Sequence, residues 1–258
     1  MSEFNPVNLL EIAKEATIKA GQFLKNIHPN HQRVDQNMPH DIKIEADRQS
    51  EQIIIDFLKS KSPYSILSEE RGFIQRSNDD YQWIVDPLDG SLNYFRNIPF
   101  SCTSVGLWQN LTPVLGAVYD FQRSELFFGL ANDKTYLGDS AISVSAINSI
   151  SQAVLCSGFP SQADLSTQAV QGFIRCVQNF KKVRFLGSAA LSVAYVACGR
   201  ADAYYENDIM IWDIAGAVPV VLGAGGKIKL EETVTPHRYC VYISNGRIDI
   251  ELIHKRVN

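Results

Sequence analysis

A chain of 258 residues that is 45% hydrophobic and 20% charged can bury a large core, which excludes disorder and fits one large α/β domain or two lobes sharing an interface. The net charge of −4, with lysines and arginines scattered, argues against a nucleic-acid surface; the pairs Lys59/Lys61 and Lys181/Lys182 read as solvated faces. No uncharged apolar run reaches the ~18 residues that a membrane-spanning helix needs.

In chain order, residues 7–27 read as an amphipathic helix, with Leu10, Ala13, Ala16, Ala20, Phe23, Leu24 and Ile27 at helical spacing. The opening MSEFNPVNLLEIAKEA lacks a basic stretch followed by an apolar one, so no secretory leader is expected. A polar, irregular stretch follows at 28–41; nothing in it marks a partner. Helix signals resume over Glu45–Lys59. Short strands are expected at Ser65–Leu67, Gln82–Val85, Thr103–Trp108, Val114–Tyr119 and Leu126–Phe128, with a hairpin connection at Gln109-Asn110. After about residue 145 the pattern alternates. Strands are expected at Ala153–Ser157 and Val183–Leu186, a small-residue helix over Ser188–Ala197 ended by Gly199, and a strand at Ala201–Tyr205. A helix over Trp212–Leu222 should kink at Pro219. Strands at Lys227–Leu230 and Val241–Ser244 and a last helix over Arg247–Val257 complete the pattern.

The expected fold class is therefore α/β in layers: an N-terminal lobe, 1–145, with a largely antiparallel sheet, and a C-terminal lobe, 146–258, with alternating elements, packed as one unit. Cys102, Cys156, Cys176, Cys198 and Cys240 show no C-x-x-C spacing and lie mostly in apolar strings. They read as buried free thiols in a reducing compartment, which points to the cytoplasm.

Acids collect at the ends of apolar elements in four places: Asp86 and Asp89 in WIVDPLDGS, Glu69-Glu70 after SILS, Asp213 after Trp212, and Asp41 and Asp47 leading into a helix. Each has a structural explanation of its own. Asp86 and Asp89 fit a Pro-Gly turn, Glu69-Glu70 a solvated strand end, Asp213 an N-cap, and Asp47 a first-turn acid facing the helix dipole. Together they offer hard carboxylate oxygens from separate segments, which is what Mg²⁺ takes. Gly90-Ser91 directly after Asp89 adds backbone N–H groups and a hydroxyl suited to an anion. Metal ligands beside an anion site suit phosphoryl chemistry.

WIVDPLDGSLNY resembles the D-P-[IL]-D-G-[TS] signature of the Mg²⁺-dependent, lithium-sensitive phosphatases of the inositol monophosphatase family. WDIAGAVPVVLGAGGKI, LSEE and DIKIEAD resemble that family's other three elements, in its order and at its spacing, over nearly the whole chain. The resemblance implies the sugar-phosphatase arrangement of alternating helix and sheet layers and phosphomonoester hydrolysis with two or three Mg²⁺ ions. Glu69, Asp86, the Leu88 carbonyl and Asp89 would hold one ion; Asp86, Asp89 and Asp213 a second; a third would lie near Glu69. The Ser91 hydroxyl and Asp47 would pair to take a proton from the attacking water, with Glu69 assisting, and the Gly90 and Ser91 amides would bind phosphate. A homodimer is also implied.

For the substrate, Glu206 in ADAYYEND reads from local sequence as an exposed strand-end acid or a functional one. In the family, a Glu in this context binds ring hydroxyls, and GSAALSV resembles a segment, Gly187, Ser188 and Ala189 here, whose backbone lies against substrate. Asp89 and Asp213 would also face it. These features imply a small phosphorylated polyol, inositol-1-phosphate first. The related phosphatases acting on 3′-phosphoadenosine 5′-phosphate, fructose 1,6-bisphosphate and histidinol phosphate stand as alternatives, as does a non-catalytic metal- or phosphate-binding regulator. The chain departs from the family pattern at Ser91 (usually Thr), at Ile44 (usually Thr) and at Gly223 (usually Glu).

Overall fold

The computed structural model describes residues 4–27, 34–38, 41–159 and 166–249. The chain begins with helix α1 (Pro6–Asn26), where Asn5 caps the N-terminus by accepting from the Val7 and Asn8 amides at 3.1 Å and Pro6 occupies the first turn. Strands β1 (Val34–Met38) and β2 (Asp41–Ile44) pair antiparallel and lead into α2 (Glu45–Lys61). They occupy much of the stretch that the sequence leaves irregular.

An eight-stranded sheet follows. Its strands are β3 (Tyr64–Ser68), β4 (Gly72–Ile74), β5 (Asn78–Asp89), β6 (Cys102–Gln109), β7 (Thr112–Asp120), β8 (Glu125–Leu130), β9 (Thr135–Leu137) and β10 (Ser140–Ile142), in the spatial order β10-β9-β8-β7-β6-β5-β3-β4. Only β3 and β5 pair in parallel; the rest is antiparallel. A short helix, α3 (Ser91–Phe95), separates β5 from β6. The expected hairpin is present, with Asn110 in the left-handed region at φ 53°.

The second sheet, in the order β12-β11-β13-β15-β14, is built from β11 (Val154–Ser157), β12 (Lys182–Phe185), β13 (Ala203–Met210), β14 (Lys227–Glu232) and β15 (Arg238–Ser244). Helices α4 (Thr167–Val177), α5 (Ala189–Ala197), α6 (Trp212–Ala215) and α7 (Ala217–Gly223) complete the described chain. The sequence reading has no counterpart to α4. The helix expected over Arg247–Val257 lies mostly outside the described residues, and 247–249 are not helical.

Side-chain alternation sets the layers. Trp83 and Val85 of β5 face α1 and α2, packing with Ala13, Ala16, Ile54 and Leu58, whereas Ile84 faces the other way. On that side Ile84, Val118 and Phe127 meet α5 and α7, which in turn cover Tyr204, Val241 and Ile243 of the second sheet. The alternate residues of that sheet, Ala203, Tyr205 and Tyr242, face α4 through Phe173. The order is helices, sheet, helices, sheet, helix, with both sheets buried on both faces at their centres. That burial explains the uninterrupted apolar strings.

Two expectations are corrected. The helix expected over Trp212–Leu222 is divided at Gly216 rather than bent at Pro219. Pro219 has no N–H to offer the carbonyl four residues back, Ala215, and the Trp108 indole N–H donates to that oxygen instead, at 2.9 Å. Among the described side chains the thiols are only in part buried: Cys102 and Cys156 are, while Cys198 and Cys240 are partly exposed, all four of them free, and the Cys176 side chain lies outside the description. No helix among the described residues is long and apolar enough to cross a membrane.

Candidate active site

The acids of WIVDPLDGS do not sit in a turn. β5 continues through them to Asp89, and its register against β6 runs Asp86 to Ser104 and then Asp89 to Cys102, three residues against two. This is a bulge. In an unbroken strand, residues three apart point to opposite faces; one extra residue resets the phase and brings Asp86 and Asp89 to the same side. The bulge is pinned from within, where Asp86 Oδ1 accepts from the Leu88 amide at 3.0 Å, and from α2, where the Ser50 hydroxyl donates to the Pro87 carbonyl at 2.6 Å.

Helix α2 also presents Asp47, 3% exposed. Its Oδ2 accepts from the Ile44 amide at 2.6 Å, and its Oδ1 lies 2.8 Å from the Ser91 hydroxyl. Ser91 Oγ is also 2.9 Å from the Leu88 carbonyl, so its single proton chooses between two acceptors. Ile44 is the N-cap of α2 without a capping side chain, and its own side chain is buried among Leu24, Leu88, Tyr94 and Phe121. The hydroxyl that the family usually has there is replaced by core packing, and the Ile44 backbone N–H and the Ser91 hydroxyl both hold Asp47.

Asp89 is turned onto the N-terminus of α5. Its Oδ2 accepts from the Ser188 hydroxyl at 2.5 Å and the Ala190 amide at 2.7 Å, and Oδ1 from the Ala189 amide at 3.2 Å. An anion at a helix N-terminus is favoured by the dipole. Ser188 and Ala189, expected against substrate, are thus occupied with a site carboxylate. Asp213 is the second residue of α6 rather than its N-cap, and its Oδ2 accepts from the Met210 amide at 3.2 Å. Glu69 follows β3, half-buried, with its amide donating to the Val85 carbonyl at 3.3 Å.

These acids feel one another. Burial, then the fields of Glu69, Asp89 and Asp213, push the Asp86 carboxyl well above the usual range. Burial, then Glu69, Asp89 and Glu206, do the same to Asp213. Burial lifts Asp89 to about 6 against the opposing pull of its Ser188, Ala190, Ala189 and Cys102 donors. Among the described residues no arginine, lysine or histidine pairs with Asp86, Asp89 or Asp213. Carboxylates without a basic partner, Asp86 and Asp89 buried and Asp213 half-buried, are the donor set that a hard divalent cation fits. No three acid, His or Cys side chains of the described residues are drawn together as tightly as a formed coordination shell requires. The carboxylates meet through their fields, with Asp89 held by α5.

On the C-terminal side, Glu206 of β13 is buried and takes a hydrogen bond from the Tyr204 hydroxyl. Gly158 lies against it: a Cβ there would stand 2.3 Å from Glu206 Oε2. The exposed strand-end reading of Glu206 is therefore wrong. Burial pushes its carboxyl from 4.5 up to about 7, with the Tyr204 bond opposing and the field of Asp89 adding. Between the two halves, Asn93 Nδ2 donates to the Phe100 and Leu186 carbonyls, both at 2.8 Å, and locks Gly187 beside Gly90. Gly90, at φ 85°, opens α3. Ser50 and Glu51 have no role in the sequence reading, their signal being a spacing of three and four residues from Asp47; Asn93 enters it only within the SLNY of the family signature, with no role assigned.

The model of the inositol monophosphatase family matches residues 5–256. Inositol-1-monophosphatase of Synechocystis sp. is 35% identical over 229 residues, 86% of this chain and 80% of that protein. Nus factor SuhB of Pasteurella multocida is 31% identical over 224 residues, 85% and 84% of the two chains. The solved structure of inositol monophosphatase from Anabaena superimposes with a TM-score of 0.82 at 32% identity, covering 95% and 94%. Fold and sequence alike place the chain among the phosphoric monoester hydrolases. It belongs to the inositol monophosphatase family.

Proposed function

We propose that this enzyme hydrolyses the phosphate ester of a small polyol, with inositol-1-phosphate as the substrate its residues fit best, and that it works with Mg²⁺ held by Glu69, Asp86, the Leu88 carbonyl, Asp89 and Asp213. The observation that carries this reading is the Ser91–Asp47 pair at 2.8 Å beside Asp86 and Asp89, two buried carboxylates with no basic partner among the described residues. Bound Mg²⁺ would supply charge neutralisation of the phosphate and acidify water. The chain supplies the rest. Ser91 Oγ keeps a lone pair to accept a hydrogen from the attacking water while its own proton moves toward Asp47 Oδ1. The backbone at Gly90 and Ser91 would face the phosphate. Glu206 would accept from vicinal hydroxyls of the leaving alcohol, and Gly187 would border it.

With excess Mg²⁺, phosphate release should be greatest on inositol-1-phosphate when compared with fructose 1,6-bisphosphate, histidinol phosphate and 3′-phosphoadenosine 5′-phosphate, and EDTA should stop it. A preference for the nucleotide would overturn the polyol reading and keep the metal site. A non-catalytic regulatory role is the second reading, favoured by the Nus factor name of the relative from Pasteurella multocida. It predicts metal binding without turnover on any of the four esters.

Glu206 gives a pH-dependent test. Its folded-state pKa lies above the unfolded value, so the stability it contributes is fully present below about 4.5 and is lost as pH rises through about 7. The difference corresponds to about 3 kcal/mol. Glu206→Gln does not titrate and still accepts from Tyr204. In EDTA its melting temperature should rise relative to wild type by roughly 5–10 °C between pH 5 and pH 8. A gap that stays flat with pH would show that Glu206 ionises as freely folded as unfolded.

A further inference from the structure

We propose that Glu51 is a positioning residue for Glu69: from α2 it fixes the turn that presents Glu69 and so sets how tightly the acid site takes a divalent cation. This role rests on the reading of Glu69 as a metal-site residue.

Asp47, Ser50 and Glu51 lie at i, i+3 and i+4, on one face of α2. Each reaches a different segment of the site: Asp47 to Ser91, Ser50 to the Pro87 carbonyl, and Glu51 to the turn after β3. Glu51 is 1% exposed. Its Oε1 accepts from the Ser68 hydroxyl, from the Glu70 amide at 3.2 Å and from the Arg71 amide at 3.0 Å, while its Oε2 makes no hydrogen bond and is met by the charge of Arg71, Nε at 3.1 Å. Every partner belongs to residues 68, 70 and 71. Glu69 is bracketed on both sides, and its own amide is tied to β5.

A buried carboxylate is costly unless its oxygens are satisfied. The neighbouring inward positions of α2, Ile54, Ile55 and Leu58, are apolar, so core packing alone would favour an apolar residue at 51 as well. What the carboxylate provides and a leucine could not is a fixed backbone path through Ser68–Arg71. Such supporting groups typically alter metal affinity about 10- to 100-fold when removed.

The test uses the full-length chain and Mg²⁺ alone. Thermal shift against Mg²⁺ concentration, with no ester present, gives a half-saturating concentration for wild type, Glu51→Gln and Ser68→Ala. Glu51→Gln keeps one acceptor oxygen but sets an amide against Arg71; its half-saturating concentration should rise about tenfold. Ser68→Ala should raise it about threefold. In turnover, kcat should recover as Mg²⁺ is raised, with the KM for ester unchanged. A variant that melts lower but saturates at the wild-type Mg²⁺ concentration would overturn the proposal, leaving Glu51 purely structural. If Glu51→Gln does not fold, Ser68→Ala and Arg71→Gln carry the same test, and wild-type saturation in both overturns it. A wild-type chain that Mg²⁺ does not stabilise at all would overturn the metal site itself, and the role of Glu51 with it.

Discussion

Asp89→Asn gives a folded protein whose turnover falls roughly a hundred- to a thousandfold, the loss typical when one group stabilising the transition-state charge is removed. The fold survives because Asp89 is held by donors that an amide oxygen can still serve. Asn Oδ1 can take the place of Asp89 Oδ2, accepting from the Ser188 hydroxyl and the Ala190 amide. The amide nitrogen then faces the Ala189 N–H, whose bond to Asp89 is the longest of the three at 3.2 Å. The substitution also removes a charge that burial disfavours. Folding therefore loses little, while the site loses a unit of negative charge that the proposed cation needs. Circular dichroism and melting in EDTA check the first half; phosphate release across a Mg²⁺ series checks the second. Activity within a few fold of wild type at every Mg²⁺ concentration would remove Asp89 from the metal site, and with it the proposed ligand set.

The acids of this site were legible as residue types at the ends of apolar strings, and the family signature tied them together. The device that aims two of them was not. Asp86-Pro-Leu-Asp89 reads as a turn because Asp, Pro and Gly favour turns. Whether it is a turn or a bulge depends on pairing with β6, thirteen or more residues further on, and local sequence does not carry that register. For Glu51 the sequence carries only its spacing of four from Asp47: an acid on a helix is ordinarily solvent-facing, and only the packing of α2 against the turn after β3 buries it. For Glu206 local sequence leaves an exposed strand-end acid and a functional one both open, because nothing nearby in sequence shows Gly158 and Tyr204 closing over it. The kink in the helix that carries Asp213 was expected at the proline. The division falls at Gly216, beside the carbonyl that Pro219 cannot reach, where the backbone lies against the first sheet.

That contact yields the second large effect, on the fold rather than the chemistry. Gly106 of β6 and Gly116 of β7 are cross-strand partners. A Cβ on Gly106 would stand 2.2 Å from the Ala215 carbonyl oxygen, and one on Gly116 would stand 2.0 Å from the Gly216 oxygen. Both obstacles are backbone, so no rotamer change relieves them. The junction of α6 and α7 would have to lift from the sheet, breaking the Trp108–Ala215 hydrogen bond. Overpacking of this kind costs about 1–3 kcal/mol where side chains can yield, and more where they cannot. Gly116→Ala should therefore melt roughly 10 °C lower than wild type or fail to accumulate in soluble form. Asp213 sits on α6, so in whatever folds the Mg²⁺ requirement should rise as well. Gly138→Ala is the control: that Cβ meets nothing within 4 Å, so any loss there reports only the φ of +57°. Equal melting of Gly116→Ala and wild type would mean that the helix junction can move off the sheet at no cost, and that Asp213 is not held in place by these two glycines.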